Sequence, residues 1–185
     1  MELEKNNPDL AGSIIELREP TTGKTGQEIR SLLASKINTK RSVWIDLFMR
    51  DREENVQNNI LPSLIQKKII LQDRYFYSTA AYQGDDENPP TSSDIIDESL
   101  EKNFPEPDLL FFLDLPPEMA LDRLIKTREK MESFETLNQL ENFYKNFLFI
   151  LPENCIFLDA MEDQNEIVHE TVQIIENYIK ENSQK

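Results

Sequence analysis

Residues 107–121 read PDLLFFLDLPPEMAL, and the apolar run LLFFL inside this stretch decides the fold class. A nearly continuous apolar run is typical of a parallel strand that is covered on both faces, and a helical pattern follows it at once. The sequence therefore predicts a strand over Leu109–Asp114 and a helix over Pro117–Lys126.

The same order of a short apolar run and a helical pattern recurs along the chain. Three further strands are predicted, over Ser13–Arg18, Lys68–Gln72 and Cys155–Asp159. Further helices are predicted over Gly26–Ser35, Ser42–Gln66, Asp94–Asn103, Leu137–Phe149 and Glu166–Lys180. This alternation predicts a single α/β domain over residues 1–185, with helices on both faces of a parallel sheet.

Composition and charge exclude several classes of function. A net charge of −15 would repel nucleic acid over most of the surface. No run of 18 apolar residues is present, so no membrane-spanning helix is predicted. The single cysteine, Cys155, cannot form an internal disulfide and fits a reducing, cytoplasmic location. The single histidine, His169, gives little support to Ser-His-Asp or Cys-His catalysis.

Residues 20–26, PTTGKTG, look like the end of a phosphate-binding P-loop. The motif Gly-x-x-x-x-Gly-Lys-Ser/Thr would place its first glycine at position 18, where the chain has Arg18. Because that glycine lets the backbone wrap around a phosphate, we predict that this stretch is not a P-loop.

A charged residue, Arg52, interrupts the apolar stripe of the predicted helix Ser42–Gln66. The stripe advances in steps of four through Trp44, Phe48, Val56, Ile60 and Leu64. An inward-facing arginine needs an anion, because burying an unpaired charge is costly. An aromatic ring at Phe48, one turn earlier, suits a nucleotide whose base stacks on the ring and whose phosphate meets the guanidinium. The alternative is a structural ion pair between Arg52 and an internal Asp or Glu.

Hydrogen-bonding side chains crowd the segment DRYFYSTAAYQG, residues 73–84, directly after a predicted strand. Asp73 could hold Mg²⁺ through water, and Arg74 could neutralise a transferring phosphoryl group. Gln83 offers both a donor and an acceptor to the edge of a base. The alternative reading of the segment is a turn followed by a capped helix.

Five motifs together resemble the thymidylate (dTMP) kinases, which are P-loop nucleoside monophosphate kinases. They are LREP at 17–20, the Phe48/Arg52 pair, DRYFYSTAAYQG at 73–84, PDLLFFLDLPPEMAL at 107–121 and FLDA at 157–160. The resemblance runs from Leu17 to about Tyr178. It implies a three-layer α/β fold of the P-loop nucleotide kinase type, transfer of a phosphoryl group from ATP to dTMP with Mg²⁺, and a homodimer packed through helices.

The resemblance also implies which residues meet the phosphate and the metal. Arg52 and Arg74 are expected to bind the dTMP phosphate, and Asp73 is expected to organise Mg²⁺. Arg18 and Glu19 match the loop beside the acceptor phosphate.

A second group of residues is expected to meet the nucleoside. Phe48 matches the ring that stacks on thymine, Ser78 and Gln83 match positions that face the base, and Tyr82 matches the one near the sugar. Gln72 departs from the family, in which a smaller residue usually precedes the Asp-Arg pair.

Residues 126–135, KTREKMESFE, align with the mobile lid that closes over ATP in the family. The family's Asp-Arg pair is replaced by Glu132-Ser133 at the corresponding positions. We expect Arg128 to supply the missing donor to the transferring phosphate, with Lys126 and Lys130 as weaker candidates. A solvated run of charges is the alternative for all three.

The family's first strand, its P-loop and most of the helix that follows are absent from these residues. MELEKNNPDLAG, residues 1–12, corresponds at best to the end of that helix and its exit turn. In the family that strand lies in the centre of the sheet, so its absence is expected to open a slot between two neighbours. We expect Met1 to be an internal methionine of a longer kinase.

Two other functions stay open at the level of the sequence. One is a non-catalytic nucleotide-binding protein that keeps the dTMP pocket without an ATP site. The other is a kinase for a different nucleoside monophosphate.

Overall fold

A computed structural model describes residues 2–35, 37–127 and 136–182. The strands are β1 (Ile14–Arg18), β2 (Ile69–Asp73), β3 (Phe111–Asp114) and β4 (Ile156–Asp159). The helices are α1 (Glu2–Asn6), α2 (Lys24–Ala34), α3 (Arg41–Asn55), α4 (Leu61–Ile65), α5 (Phe76–Gln83), α6 (Ser92–Glu101), α7 (Pro117–Thr127), α8 (Leu137–Ile150) and α9 (Gln164–Asn182). The predicted α/β class is confirmed, and the segment before β1 contains α1 and the 3₁₀ turn Pro8–Leu10.

The strands pair in parallel, as predicted, but they form two sheets. β1 pairs with β2, with Ile14 opposite Ile69, and β3 pairs with β4, with Phe111 opposite Ile156. Within residues 2–35, 37–127 and 136–182, no ladder of hydrogen bonds joins one pair to the other. The division agrees with the expected slot in the sheet.

Helices pack on both faces of the sheet formed by β1 and β2, and neighbouring residues of β2 therefore belong to different cores. The second sheet is less completely covered, since Leu113 of β3 is 59% exposed and Phe157 of β4 is 47% exposed. Leu71 of β2 packs against a core formed by Leu3 of α1 with Val172 and Ile175 of α9. Ile70 packs on the opposite face, against a core formed by seven buried side chains of α3, α5, α6 and adjoining turns: Ile45, Met49, Val56, Ile60, Ala80, Ile95 and Phe104. None of the described helices is long and apolar enough to cross a membrane.

The predicted helix Ser42–Gln66 contains a π-helical turn, Val56–Ile60, between α3 and α4. A π turn holds more residues than an α turn, so the side chains that follow it are rotated about the helix axis. Leu61 packs against the core in consequence, whereas Leu64 is 44% exposed. The prediction that Leu64 continues the buried stripe is therefore wrong.

Candidate functional site

A pocket lies where β1 and β2 end, between α3 and α5. It is lined by nine residues: Glu19, Phe48, Arg52, Arg74, Tyr75, Ser78, Thr79, Tyr82 and Gln83. Glu19 follows β1, Arg74 follows β2, and the remaining residues come from α3, α5 and the turn before α5. The fold thus brings together every residue that the sequence analysis assigned to the base and sugar, along with Glu19, Arg52 and Arg74.

Arg52 faces inward as predicted, and its partner is Glu19. The guanidinium Nε and Nη2 atoms lie 3.0 and 2.8 Å from Oε2 of Glu19. Nη2 also donates to the hydroxyl of Thr79, at 2.9 Å. The ion pair offered as the alternative interpretation of Arg52 is therefore present, and it forms one wall of the pocket.

Arg52 keeps donor capacity beyond this ion pair. Within the described residues, Nη1 contacts only the sulfur of Met49, at 3.6 Å. Thiol and thioether sulfurs are weak acceptors, so the hydrogens on Nη1 remain available to a stronger one. Burial raises the pKa of the Glu19 carboxyl, while the guanidinium of Arg52 and the amide of Asn55 act in the opposite direction.

Arg74 enters the pocket from a left-handed backbone conformation, with φ of 65°. Its guanidinium lies over the ring of Tyr82, 5.7 Å from the centroid. Tyr82 in turn packs edge-on against two rings of α8, Phe143 at 4.7 Å and Phe147 at 5.7 Å. Helix α8 therefore fixes the ring on which Arg74 lies.

Two buried polar atoms of the pocket have no partner among the described residues, the Oε1 atom of Gln83 and the hydroxyl of Tyr75. Buried polar groups are nearly always hydrogen-bonded, so these atoms mark unmet capacity for a ligand or water. Burial and the charge of Glu19 raise the pKa of Tyr75 well above its ordinary value. Its hydroxyl is therefore protonated at neutral pH and able to donate.

The pocket is narrow as it stands. Its volume of about 20 Å³ has room for about one water molecule. A nucleotide could enter only if lining side chains move. Arg74 is the least constrained of them, because its side chain is exposed at the pocket mouth.

Arg18 and Asp73, both predicted to act at the phosphate, lie at the ends of β1 and β2 outside the pocket lining. Their side chains form an ion pair with 3.1 Å between Arg18 Nε and Asp73 Oδ2, and both are more than half exposed. No cluster of three or more metal-ligating side chains occurs among the residues that the structure describes. Arg128 and most of the expected lid lie outside the described residues.

The stretch PTTGKTG folds as a closed turn that leads into α2. The amide of Thr21 donates to Asp51 at 2.8 Å, and that of Gly23 donates to the Thr21 hydroxyl at 3.1 Å. A Cβ on Gly26 would lie 1.9 Å from the carbonyl oxygen of Thr21, so only glycine fits there. The amides of Thr21 and Gly23 are thus hydrogen-bonded to side chains of the protein and do not converge on open space, as the absence of the first motif glycine predicts.

Comparison with known proteins identifies the family. The family model described as "Thymidylate kinase" matches residues 3–172. The thymidylate kinase of Leptospira borgpetersenii is 48% identical over 161 residues, which are 86% of this chain and 77% of the relative. The chain belongs to the thymidylate kinase family. The probable thymidylate kinase of Archaeoglobus fulgidus is 35% identical over 169 residues, 90% of this chain and 83% of that protein.

A solved member of the thymidylate kinase family supports the fold. The crystal structure of thymidylate kinase from Ehrlichia chaffeensis aligns with a TM-score of 0.67 at 22% sequence identity. The alignment covers 95% of this chain and 85% of that one. The likeness supports the P-loop kinase fold expected from the motifs.

In this member of the thymidylate kinase family, sequence reasoning did not assign several residues of the candidate site. Tyr75 and Thr79 line the pocket. The side-chain amide of Asn55 donates to Glu19, which lines the pocket, and to the side-chain oxygen of Gln72. Tyr75 and Thr79 lie inside the segment 73–84, where their hydroxyl groups could have indicated a role in the site. Nothing in the sequence pairs Asn55 with Gln72, because α3 and β2 meet only in the fold.

Proposed function

We propose that this protein transfers the γ-phosphoryl group of ATP to dTMP. The bond from the γ-phosphorus to the bridging oxygen of ADP breaks, and a bond to a 5′-phosphate oxygen of dTMP forms, giving ADP and dTDP. One observation carries the proposal. A single pocket combines an aromatic ring, two arginines and an unpartnered amide oxygen: Phe48, Arg52, Arg74 and Gln83.

The nucleoside would occupy the side of the pocket between α3 and α5. Phe48 would stack on thymine, since a base and an aromatic ring attract each other face to face. The Oε1 atom of Gln83 would accept from a base N–H, with Ser78 beside it. Tyr82, held edge-on by α8, would pack against the sugar.

The phosphate would meet the arginines. Arg52 has its Nη1 donors free of strong partners, and Arg74 can swing from the ring of Tyr82. Arg18 and Glu19 would border the acceptor phosphate from the end of β1. These groups would act by holding the two substrates in line and by neutralising the charge that develops on the phosphoryl group.

Asp73 fits a magnesium ion that is held mainly by nucleotide phosphates and water. The described residues supply no cluster of carboxylates, and Mg²⁺ in kinases needs only one or two from the protein. The exposed carboxylate of Asp73, at the carboxyl end of β2, supplies one. When bound, the ion would neutralise phosphate charge, and Asp73 would hold its water shell.

These residues are proposed to recognise dTMP, and none of them is assigned to the P-loop contacts with ATP. The 185 residues contain no Gly-x-x-x-x-Gly-Lys-Ser/Thr sequence. Arg128, in the segment expected to be the lid, would donate to the transferring phosphate.

A homodimer and a cytoplasmic location complete the proposal. A groove of about 270 Å³ between α3 and α6 is lined mainly by polar and charged side chains over the buried Ile45 and Met49, and it would receive a second copy of the chain. Light scattering would then report twice the monomer mass of 21.7 kDa. The buried free thiol of Cys155 is consistent with a reducing compartment.

Calorimetric titration of the protein isolated from its native cells with nucleoside monophosphates, followed by a dTDP-formation assay with ATP and Mg²⁺, tests the function. Tightest binding of dTMP together with dTDP formation is the expected result. Binding of dTMP without turnover would favour the non-catalytic nucleotide-binding protein instead. Tighter binding of dUMP, dCMP or dGMP would favour a kinase for another nucleotide.

A further inference from the structure

Gln72, the residue that departs from the family pattern, makes contacts at both ends of its side-chain amide. Its Nε2 atom donates to the carbonyl oxygen of Arg74 at 2.7 Å and, more weakly, to that of Asp73 at 3.3 Å. A residue inside β2 thus reaches forward along its own chain and holds the two carbonyls that follow it.

These hydrogen bonds restrain the backbone segment from which the Arg74 side chain extends. Its φ of 65° lies in the left-handed region, which residues other than glycine enter only when their surroundings hold them there. A hydrogen bond to the Arg74 carbonyl is such a restraint. Since the side chain leaves from the same backbone unit, the restraint also sets the direction from which the guanidinium enters the pocket.

The oxygen of the Gln72 side-chain amide is connected to Arg52 through hydrogen bonds of Asn55 and Glu19. Its Oε1 atom accepts from Nδ2 of Asn55 at 3.2 Å, and the same Nδ2 donates to Oε1 of Glu19 at 3.2 Å. Glu19 holds Arg52 through its other oxygen. A continuous series of hydrogen bonds therefore joins the backbone of one pocket arginine to the side chain of the other.

We infer that Gln72 is a positioning residue of the phosphate subsite, which orients Arg74 and ties it to the Arg52–Glu19 pair. The inference rests on the proposed function, because it assigns to Arg74 the phosphate of dTMP. Gln72 itself touches no substrate. Its effect is expected on ligands that carry the phosphate and not on the nucleoside.

The test compares dTMP with thymidine, which lacks the phosphate, on the full chain. Gln72→Met keeps the length of the side chain and removes all its hydrogen bonds. Gln72→Leu also removes them, with a shorter, branched side chain and no change in charge. Gln66→Met is the matched control, because Gln66 is exposed at the end of α4. Calorimetry would measure dTMP binding, and ligand-observed NMR would measure thymidine binding.

We expect both Gln72 variants to weaken dTMP binding by roughly 3- to 10-fold, as the loss of one or two hydrogen bonds implies, and to leave thymidine binding unchanged. Gln66→Met should change neither. Equal weakening of dTMP and thymidine, or an unchanged dTMP affinity, would overturn the inference. If Gln72→Met does not fold, Gln72→Leu carries the test with the same criteria.

A double-variant cycle with Arg74→Met identifies the route of the effect. In the Arg74→Met background, Gln72→Met should have no further effect on dTMP binding. A full additional loss would show that Gln72 acts without Arg74 and would overturn the inference. Failure of the unaltered chain to bind dTMP would instead refute the proposed function, and this inference with it.

Discussion

Arg52 and Glu19 form a buried ion pair in which two guanidinium nitrogens, Nε and Nη2, lie 3.0 and 2.8 Å from one carboxylate oxygen. Their side chains are 1% and 2% exposed. The other carboxylate oxygen accepts from Asn55 at 3.2 Å. The pair joins α3 to the end of β1, so it fixes the pocket wall and positions one of the two arginines proposed to bind phosphate.

Breaking this pair should destabilise the fold. Arg52→Met leaves the Glu19 carboxylate buried without its counter-ion, which costs about 3–5 kcal/mol in free energy of unfolding. Urea unfolding of the variant and of the unaltered chain would measure this loss in free energy of unfolding. The control Arg50→Met lies on the same helix in an exposed pair with Asp46, and should change stability by less than about 1 kcal/mol. Equal effects of the two variants would contradict the prediction.

Arg52→Ala should also weaken dTMP binding, by about 2–5 kcal/mol if the phosphate meets the buried guanidinium. Calorimetric titration measures this, and unfolding curves establish that the variant is folded under the conditions used. An unchanged dTMP affinity in the folded variant would remove Arg52 from the phosphate site.

Phe48→Ala should weaken binding through the base. Loss of stacking between a base and an aromatic ring costs about 1–3 kcal/mol, and the loss should be the same for dTMP and thymidine. Phe149→Ala is the control, because that ring is 68% exposed near the end of α8 and does not line the pocket. A loss confined to dTMP would contradict stacking as the role of Phe48.

Arg41→Ala should loosen the loop that follows α5. The Nη1 atom of Arg41 donates to the carbonyls of Gln83 and Pro90, each at 3.1 Å, and Nη2 donates to those of Pro89, at 3.0 Å, and Asn88. Amide hydrogen exchange over residues 84–91 should accelerate by roughly ten-fold when these restraints are lost.

Arg41→Lys should give an intermediate result, since an ammonium group keeps the charge but cannot span several carbonyls as a planar guanidinium does. Lys40→Ala, next to it and exposed, should leave the exchange unchanged. Exchange in Arg41→Ala equal to that of the unaltered chain would show that the loop is held by other contacts.

Acidification should weaken the N-terminal cap of α6 by protonating Asp94, while the hydrogen bond from the Asp94 amide to the Thr91 hydroxyl remains. The carboxylate of Asp94 accepts from the amide of Thr91 at 2.7 Å, and this hydrogen bond is the first cause of its lowered pKa. A carboxylate whose pKa is lowered by folding stabilises the folded state above its unfolded pKa, and this contribution is lost as the pH falls through the folded pKa.

The difference in free energy of unfolding between the unaltered chain and Asp94→Asn isolates this contribution. It should be constant near neutral pH and decline below about pH 4. Urea unfolding at a series of pH values measures it. A difference that stays constant down to about pH 2 would show that the charge of Asp94 does not contribute to the cap.

The sequence by itself determined the class of fold, the four strands and most of the residues of the pocket. Apolar runs such as LLFFL and the helical spacing around Arg52 are local patterns that indicate which elements form. The expectation that LLFFL is covered on both faces is wrong for Leu113, which is 59% exposed on β3. The family motifs added roles for Phe48, Arg74 and Gln83, because those residues stand at fixed separations along the chain.

Only the tertiary structure decided which carboxylate meets Arg52 and which groups Gln72 contacts. Glu19 and Arg52 are 33 residues apart, and Asn55 and Gln72 are 17 apart, so their contacts depend on how α3 packs against β1 and β2. The exposure of Leu64 likewise follows from a π turn that the stripe does not reveal. Side-chain partners of this kind are set by packing between elements, which local periodicity does not encode.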